Sequence, residues 1–327
     1  MKSVTLITPI FKNAKSLARA FDSVLAQDYE GKIEVIIALD DSGDGSLDIA
    51  KDYVAKHPEV FVLLTKEERM GQAKARFEAL QIATGDYIGF FDGDDELSPR
   101  YLSTLVKALE ENEADLVNSS FFVTKSKNGK RSCFRYPFIH ARATVDRAKT
   151  FDLFFADASF RGFLWTKLFK RELFFSYPLL LLNHKEDMFE DVAFLTSVLT
   201  HVKKVALIPT PLYYYYEDNP DSATSDSRHD RTFRHIAVFA LQRHLLETLG
   251  LEKERKAFLR QSFRMGLSLG YDKSLDKKGK GCGKDYLRQC DALWKRIKNK
   301  NGALDVSDTP LQEIIDRAYY SPESKDS

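Results

Sequence analysis

Through its first hundred residues the chain alternates short apolar runs with stretches of helical periodicity. Val4–Ile10, Ile33–Leu39, Val60–Leu64 and Tyr87–Phe91 read as buried strands. Between the first two, Leu17, Ala20, Phe21, Val24 and Leu25 recur at i, i+3, i+4, i+7 and i+8, one face of an amphipathic helix opened by Ser16. Ser46 is placed to cap a second helix with Ile49, Ala50, Tyr53 and Val54 on one side. Gln72–Ala83 reads as a third, and Ser98-Pro99 starts a fourth with a capping Ser and Pro at the first helical position. This alternation predicts an α/β fold of βαβ units with a mainly parallel sheet, where ligands bind outside the carboxyl ends of the strands.

From about residue 115 the pattern changes. Asp115–Thr124 predicts a strand, Asn128-Gly129 a hairpin turn, Asp191–Val202 a helix, and Val205–Ile208 and Leu212–Tyr216 two further strands. Trp165–Phe175 is aromatic and basic. After residue 226 the periodicity is helical over Phe233–Leu249, Lys256–Leu269, Tyr286–Ile297 and Leu311–Ala318, and Asp272–Lys284, rich in Lys and Gly, reads as a loop. The expected organisation is a sheet domain over 1–225, with halves 1–115 and 116–225, followed by a helical region over 226–327.

Composition changes this picture little. With 43% hydrophobic and 30% charged residues the chain is an ordinary soluble globular protein. No apolar run is long enough to span a membrane, and Met1–Ile7 lacks the features of a signal peptide. The three cysteines, Cys133, Cys282 and Cys290, have neither CxxC spacing nor a disulfide pattern, so a cytoplasmic location is expected. Charge adds an asymmetry. Residues 226–327 carry 21 Lys+Arg against 15 Asp+Glu, a net of +6, and the remainder a net of −5. Within that region Asp272–Lys300 interleaves basic residues with Leu293, Trp294 and Ile297, which suggests weak peripheral contact with the inner face of an anionic membrane, or else a solvated basic helix face.

The densest chemistry is Asp92-Gly93-Asp94-Asp95, directly behind the strand Tyr87–Phe91. Three carboxylates there repel one another unless a cation is present. They are the right ligands for a hard divalent metal, Mg²⁺ or Mn²⁺, that leaves positions open for substrate phosphates. Without a cation the same stretch is a solvated acidic turn capping the next helix. Thr8-Pro9 and Asp40-Asp41 also stand at strand ends, which favours the metal–nucleotide reading.

At these residues the chain resembles the family 2 glycosyltransferases of GT-A fold. The resemblance is carried by Val4–Asn13, Ser23–Tyr29, Glu34–Asp41, Met70-Gly71 with Ala75-Arg76, Ala83–Asp95 and Phe189–Phe194, in the family's order. It implies inverting transfer of a sugar from a nucleoside-diphosphate donor, UDP being the commonest, to the hydroxyl of a saccharide or lipid-linked saccharide acceptor. Bacterial surface polysaccharide or lipooligosaccharide synthesis is the implied setting, and nucleic acid is not an implied partner. It also implies roles: Asp94 on the metal, Asp92 on the ribose or a metal-bound water, Asp41 with Asp40 on the nucleobase, Pro9 in the base pocket, Arg76 near the diphosphate and Asp191 as catalytic base. Trp165, Lys167 and Arg171 resemble a segment on the acceptor and diphosphate side. The loop Asp40–Gly45 is one residue shorter than the family's, and Phe77 stands where an Asn commonly follows the Arg.

Other readings stay open. Asp191 could simply serve the N-terminus of its helix, where negative charge is favoured. His184, His201 and His229 lack diagnostic spacing for a further metal ligand. A calcium-binding loop from Asp40 fails at its twelfth position, Lys51. A nucleotidyltransferase would carry a Gly-rich basic loop where Pro9–Asn13 stands, and a non-catalytic nucleotide-sugar-binding homologue would need no base.

Overall fold

A computed structural model of the chain describes residues 1–127, 130–136, 138–156, 159–175, 179–180, 190–217, 242, 245–246, 249–254, 258 and 319–320. The chain divides into two compact units: Met1–Arg147 with Phe163–Ser176 and Val202–Ala223, and Ala148–Gly162 with Tyr177–His201 and Thr224–Ser327.

The first unit begins with the expected alternation: β1 (Val4–Ile10), α1 (Leu17–Leu25), β2 (Ile33–Leu39), α2 (Ser46–Lys56), β3 (Phe61–Thr65), α3 (Gln72–Ile82) and β4 (Tyr87–Phe90). The strands lie parallel in the order β3-β2-β1-β4, and Val4, Leu6, Ile7, Val35, Ile37 and Ile88 are wholly buried. A short β5 (Glu96–Leu97), α4 (Tyr101–Glu111), β6 (Leu116–Lys127), β7 (Lys130–Tyr136) and β8 (Ala143–Asp146) follow. Lys127 registers against Lys130, so β6 and β7 form the hairpin expected at Asn128-Gly129.

The order continues with α5 (Arg147–Phe155), β9 (Lys167–Lys170), α6 (Glu172–Phe175), β10 (Leu179–Leu180), α7 (Glu190–Leu199), β11 (Lys204–Tyr216) and β12 (Tyr319–Tyr320). In the first unit, β9 inserts antiparallel between β4 and β6 and joins the parallel half of the sheet to the rest. The sheet runs β3-β2-β1-β4-β9-β6-β11-β5, with β7 on β6 and β8 on β11. In the second unit, α5 from Ala148 onward buries Phe151, Phe154 and Phe155, α7 buries Leu195, Val198 and Leu199, and β10 pairs antiparallel with β12.

Several expectations shift by a residue or more. Ser98-Pro99 does not open α4: Ser98 instead accepts the Tyr101 N–H in a turn, and the helix starts at Tyr101. Ser46 is the first residue of α2 rather than its cap, because Gly45, at φ 95°, makes the turn there. The two strands expected around Pro209 and Pro211 are one, with register shifts between Ile208 and Tyr213. Proline removes a ladder donor, so the strand bulges there and then resumes. The helices expected over 226–327 and the basic stretch Asp272–Lys300 lie almost wholly outside the described residues. Among the described residues no helix is long and apolar enough to cross a membrane.

Candidate active site

The site is built from the loops that leave the carboxyl ends of β1, β2, β3 and β4. Ile10 registers against Leu39, and Ile7 against Phe90, so these loops emerge side by side. Pro9 lies beyond Ile7, the last β1 residue registered against β4, where one side of the ladder has ended. It is half-buried, and next to it Phe11 is 36% exposed with the Arg69 guanidinium 3.9 Å over its ring.

The paired aspartates after β2 divide their work. Asp40 is 7% exposed, and its oxygens accept the Met70 N–H at 2.6 Å and the Gly71 N–H at 2.7 Å. It therefore fixes the loop that starts α3, where Arg76 sits. Asp41 is the exposed member and accepts the Gly43 N–H at 2.9 Å. Asp44, which the sequence reading passed over, organises the rest of this loop. Its carboxylate accepts the Ala14 N–H at 3.0 Å, the Ser46 N–H at 3.1 Å and the hydroxyls of Ser42 and Ser46. Desolvation alone would push its pKa up, but these hydrogen bonds outweigh it and hold the group down at about 2.

The Asp92–Asp95 loop is tied from several sides. Ser16 Oγ donates to the Gly93 carbonyl at 3.0 Å and Arg19 Nη2 to the Asp94 carbonyl at 2.5 Å, both from the start of α1. Arg76 Nη2 lies 3.2 Å from Asp92 Oδ1, a largely buried contact. Gly93 is closely packed: a Cβ there would lie 2.2 Å from Ile10 Cδ1, so that side chain or the loop would have to shift. The three carboxylates do not act as one set. Asp95 is fully buried and accepts the Tyr213 hydroxyl at 2.8 Å and the Tyr216 N–H at 2.8 Å. Burial, then the neighbouring Asp94 and Asp92, push its pKa well above the usual carboxylate range. Asp94 keeps a half-exposed side chain.

These donors fit a hard cation. Among the described residues no group of three or more His, Cys, Asp or Glu is arranged to hold a metal. Carboxylate oxygens such as those of Asp92 and Asp94 are the hard donors by which an ion can be held through one or two carboxylates, with substrate phosphates completing its coordination.

Asp191 belongs to the second unit. It stands in the first turn of α7, half-buried, where Oδ1 accepts the Val192 N–H at 2.8 Å. Gly162 lies beneath that turn, and a Cβ on it would come within 2.9 Å of Val192 Cγ2. Trp165 is core rather than a sugar platform: 7% exposed, it stacks on Phe163, Tyr213 and Tyr215 and meets Phe121 edge-on. Lys167 is wholly buried, donating to the Phe163 carbonyl at 2.5 Å and to Thr166 Oγ1 at 3.1 Å. Arg171 is exposed, with Nε 3.2 Å from the Ala83 carbonyl. His201 is half-exposed at the end of α7, and His184 and His229 lie outside the described residues.

Arg19, Tyr213 and Tyr216 went unnoticed in the sequence. The visible signal was the run Tyr213–Tyr216 at the end of a strand, an unusual concentration of hydroxyls beside an acidic loop. Tyr215 belongs to the same neighbourhood: burial, then Asp95 and Asp94, push its hydroxyl up to about 12.

Comparison with known proteins bears on the family and the fold. The model of glycosyl transferase family 2 matches residues 5–168. The chain is 30% identical, over 68% of its own length and 62% of the relative's, to the uncharacterized glycosyltransferase EpsJ of Bacillus subtilis. It thus spans less than two thirds of that relative. Its fold is similar to that of residues 1–349 of S. aureus TarS in complex with UDP-GlcNAc, at TM-score 0.68 and 18% identity over 90% of this chain and 81% of that one. It is also similar to mannosyltransferase PcManGT of Pyrobaculum calidifontis in complex with GDP-Man and Mn2+, at TM-score 0.52 and 18% identity over 96% and 85%. With half of its length matched by the family model, and the matched segment carrying the Asp40-Asp41 and Asp92–Asp95 loops at the ends of the two strands that flank β1, the chain belongs to glycosyl transferase family 2.

Proposed function

We propose that the protein is a metal-dependent, inverting glycosyltransferase that moves a sugar from a nucleoside-diphosphate donor, UDP in the first instance, to a hydroxyl of a saccharide or lipid-linked saccharide of the bacterial surface. The observation that carries this reading is the Asp92–Asp95 loop, which keeps two half-exposed carboxylates, Asp92 and Asp94, at the carboxyl end of a parallel strand while its backbone is tied down. Asp94 and Asp92 would hold Mn²⁺ or Mg²⁺. When bound, the ion supplies Lewis-acid stabilisation of the charge that develops on the leaving diphosphate.

The chain's own groups supply the rest. Asp41 is exposed, so its free carboxylate oxygen can accept the imide N–H of a uracil ring beside Pro9. Asp40 serves that pocket indirectly by fixing Met70 and Gly71. Arg76 neutralises Asp92 and adds positive charge on the diphosphate side. Asp191 takes the proton of the acceptor hydroxyl as it attacks. A carboxylate bonded at Oδ1 by its own helix N-terminus is held in one orientation, as a general base needs to be. One base permits a single displacement with inversion at the anomeric carbon, for which no carboxylate nucleophile is required.

The test is turnover. The purified protein is given a panel of UDP- and GDP-sugars with Mn²⁺ or with EDTA, and nucleoside diphosphate release is followed. Release from one donor class, lost in EDTA, supports the reading. Binding of the donors with no release under any acceptor would favour the non-catalytic homologue.

A further inference from the structure

The acidic loop is braced by a strand distant in sequence. The Tyr213 hydroxyl accepts the Asp92 N–H at 3.2 Å and donates to Asp95 Oδ2 at 2.8 Å. One phenol thus bridges the first and last residues of the loop, which also closes on itself through the Asp95 N–H and the Asp92 carbonyl at 3.1 Å. The other oxygen of Asp95 takes the Tyr216 N–H at 2.8 Å. The phenol has spent both its donor and its acceptor, so it has no alternative rotamer to satisfy. Its ring is wholly buried, stacked 4.5 Å from Trp165 and edge-on to Phe91 at 6.1 Å. Asp94 lies between the braced positions, with its carbonyl held by Arg19. Arg19 is itself seated 3.8 Å over the Tyr216 ring, so the same strand supports both sides of the loop.

We propose that Asp95 and Tyr213 are positioning residues that hold the loop in the shape that aims the Asp94 carboxylate at the divalent cation, and that Asp95 is not a ligand to it. This rests on the proposed function, in which Asp94 meets the cation. A preorganised ligand loses little freedom when the ion binds, so the brace governs cation affinity more than the step that follows.

The experiment measures Mn²⁺ binding in the presence of UDP, by the electron paramagnetic resonance signal of free Mn²⁺, alongside steady-state kinetics against Mn²⁺ concentration. Wild type is compared with Tyr213→Phe, Asp95→Asn and Asp94→Asn. Tyr213→Phe keeps the buried ring and removes only the hydroxyl. Asp95→Asn keeps an oxygen for the Tyr216 N–H but faces the phenol hydroxyl with an amide N–H, so the hydrogen bond that hydroxyl donates is lost. We expect Tyr213→Phe to weaken Mn²⁺ binding about tenfold, the scale of a buried group left unpaired, with kcat at saturating Mn²⁺ falling by less than that. Asp95→Asn, which keeps one of its two hydrogen bonds, should weaken binding by about tenfold or less, whereas Asp94→Asn removes it. Loss of Mn²⁺ in Asp95→Asn equal to that in Asp94→Asn overturns the proposal, because Asp95 is then a ligand. Wild-type Mn²⁺ affinity in Tyr213→Phe, with only a lower melting temperature, also overturns it. Should Tyr213→Phe not fold, Asp95→Asn alone decides between the two roles. A wild-type protein that binds no Mn²⁺ with UDP, and is matched by Asp94→Asn, contradicts the proposed function itself and the brace with it.

Discussion

At the scale of single residues, neighbouring carboxylates of this chain do different work because their surroundings differ. Asp40 and Asp41 are adjacent in sequence, yet one is buried against two backbone N–H groups and the other is exposed. Asp40→Asn can satisfy only one of Met70 and Gly71, and leaves an amide N–H facing the other. It should cost about 1–3 kcal/mol in a urea melt, the penalty for a buried unpaired group. Asp44 gives a pH signature. Its folded pKa, about 2, lies below that of an unfolded Asp, so between about pH 4 and 2 the unfolded chain binds the extra proton. Its contribution is present above that window and lost as pH falls through it. Asp44→Asn should therefore be less stable near neutral pH and lose less stability than wild type between about pH 4 and 2. The group is exposed, so the effect is small and shrinks with salt. Urea melts of both proteins across that range check it.

At the scale of elements, the parallel half of the sheet was readable because its signals are local. Short, largely apolar runs mark β1, β2 and β4, and a helical stripe marks α1. The Asp92–Asp95 loop announced itself by its repelling charges. What supports that loop did not, since Tyr213 is brought to Asp95 by a strand pairing across more than a hundred positions of chain. Short β5 and β9 were invisible for the same reason: Glu96–Leu97 and Lys167–Lys170 become strands only through their partners. Trp165 was ambiguous because an aromatic side chain reads alike in a core and on a platform, and only its stacking neighbours decide. Gly93 was readable as a turn residue but not as a packing constraint. Gly93→Ala forces either the buried Ile10 side chain or the loop to move, at about 1–3 kcal/mol. It should lower the melting temperature and weaken Mn²⁺ binding together, since β1 and the acidic loop meet at that point.

At the scale of the whole molecule, the Asp40-Asp41 and Asp92–Asp95 loops and Asp191 belong to different compact units of the chain. The sequence conveyed the order of motifs across them but not this interleaving, which depends on contacts between distant segments. Donor binding and proton abstraction should therefore separate under mutation. Asp191→Asn should bind UDP and Mn²⁺ as wild type does and lose about 10²–10⁴ of its transfer rate, the usual cost of a missing general base. The anomeric coupling constant of the product by NMR should show inversion, and retention would exclude a single displacement. The central claim, that Asp94 couples a divalent cation to a nucleoside diphosphate, is tested most directly by thermal shift with UDP and Mn²⁺, singly and together. Ligand that binds the folded state alone raises the melting temperature. Wild type should rise markedly only with both present, and Asp94→Ala, melting near wild type without ligands, should not rise. An equal UDP shift with and without Mn²⁺, or an undiminished joint shift in Asp94→Ala, would contradict it.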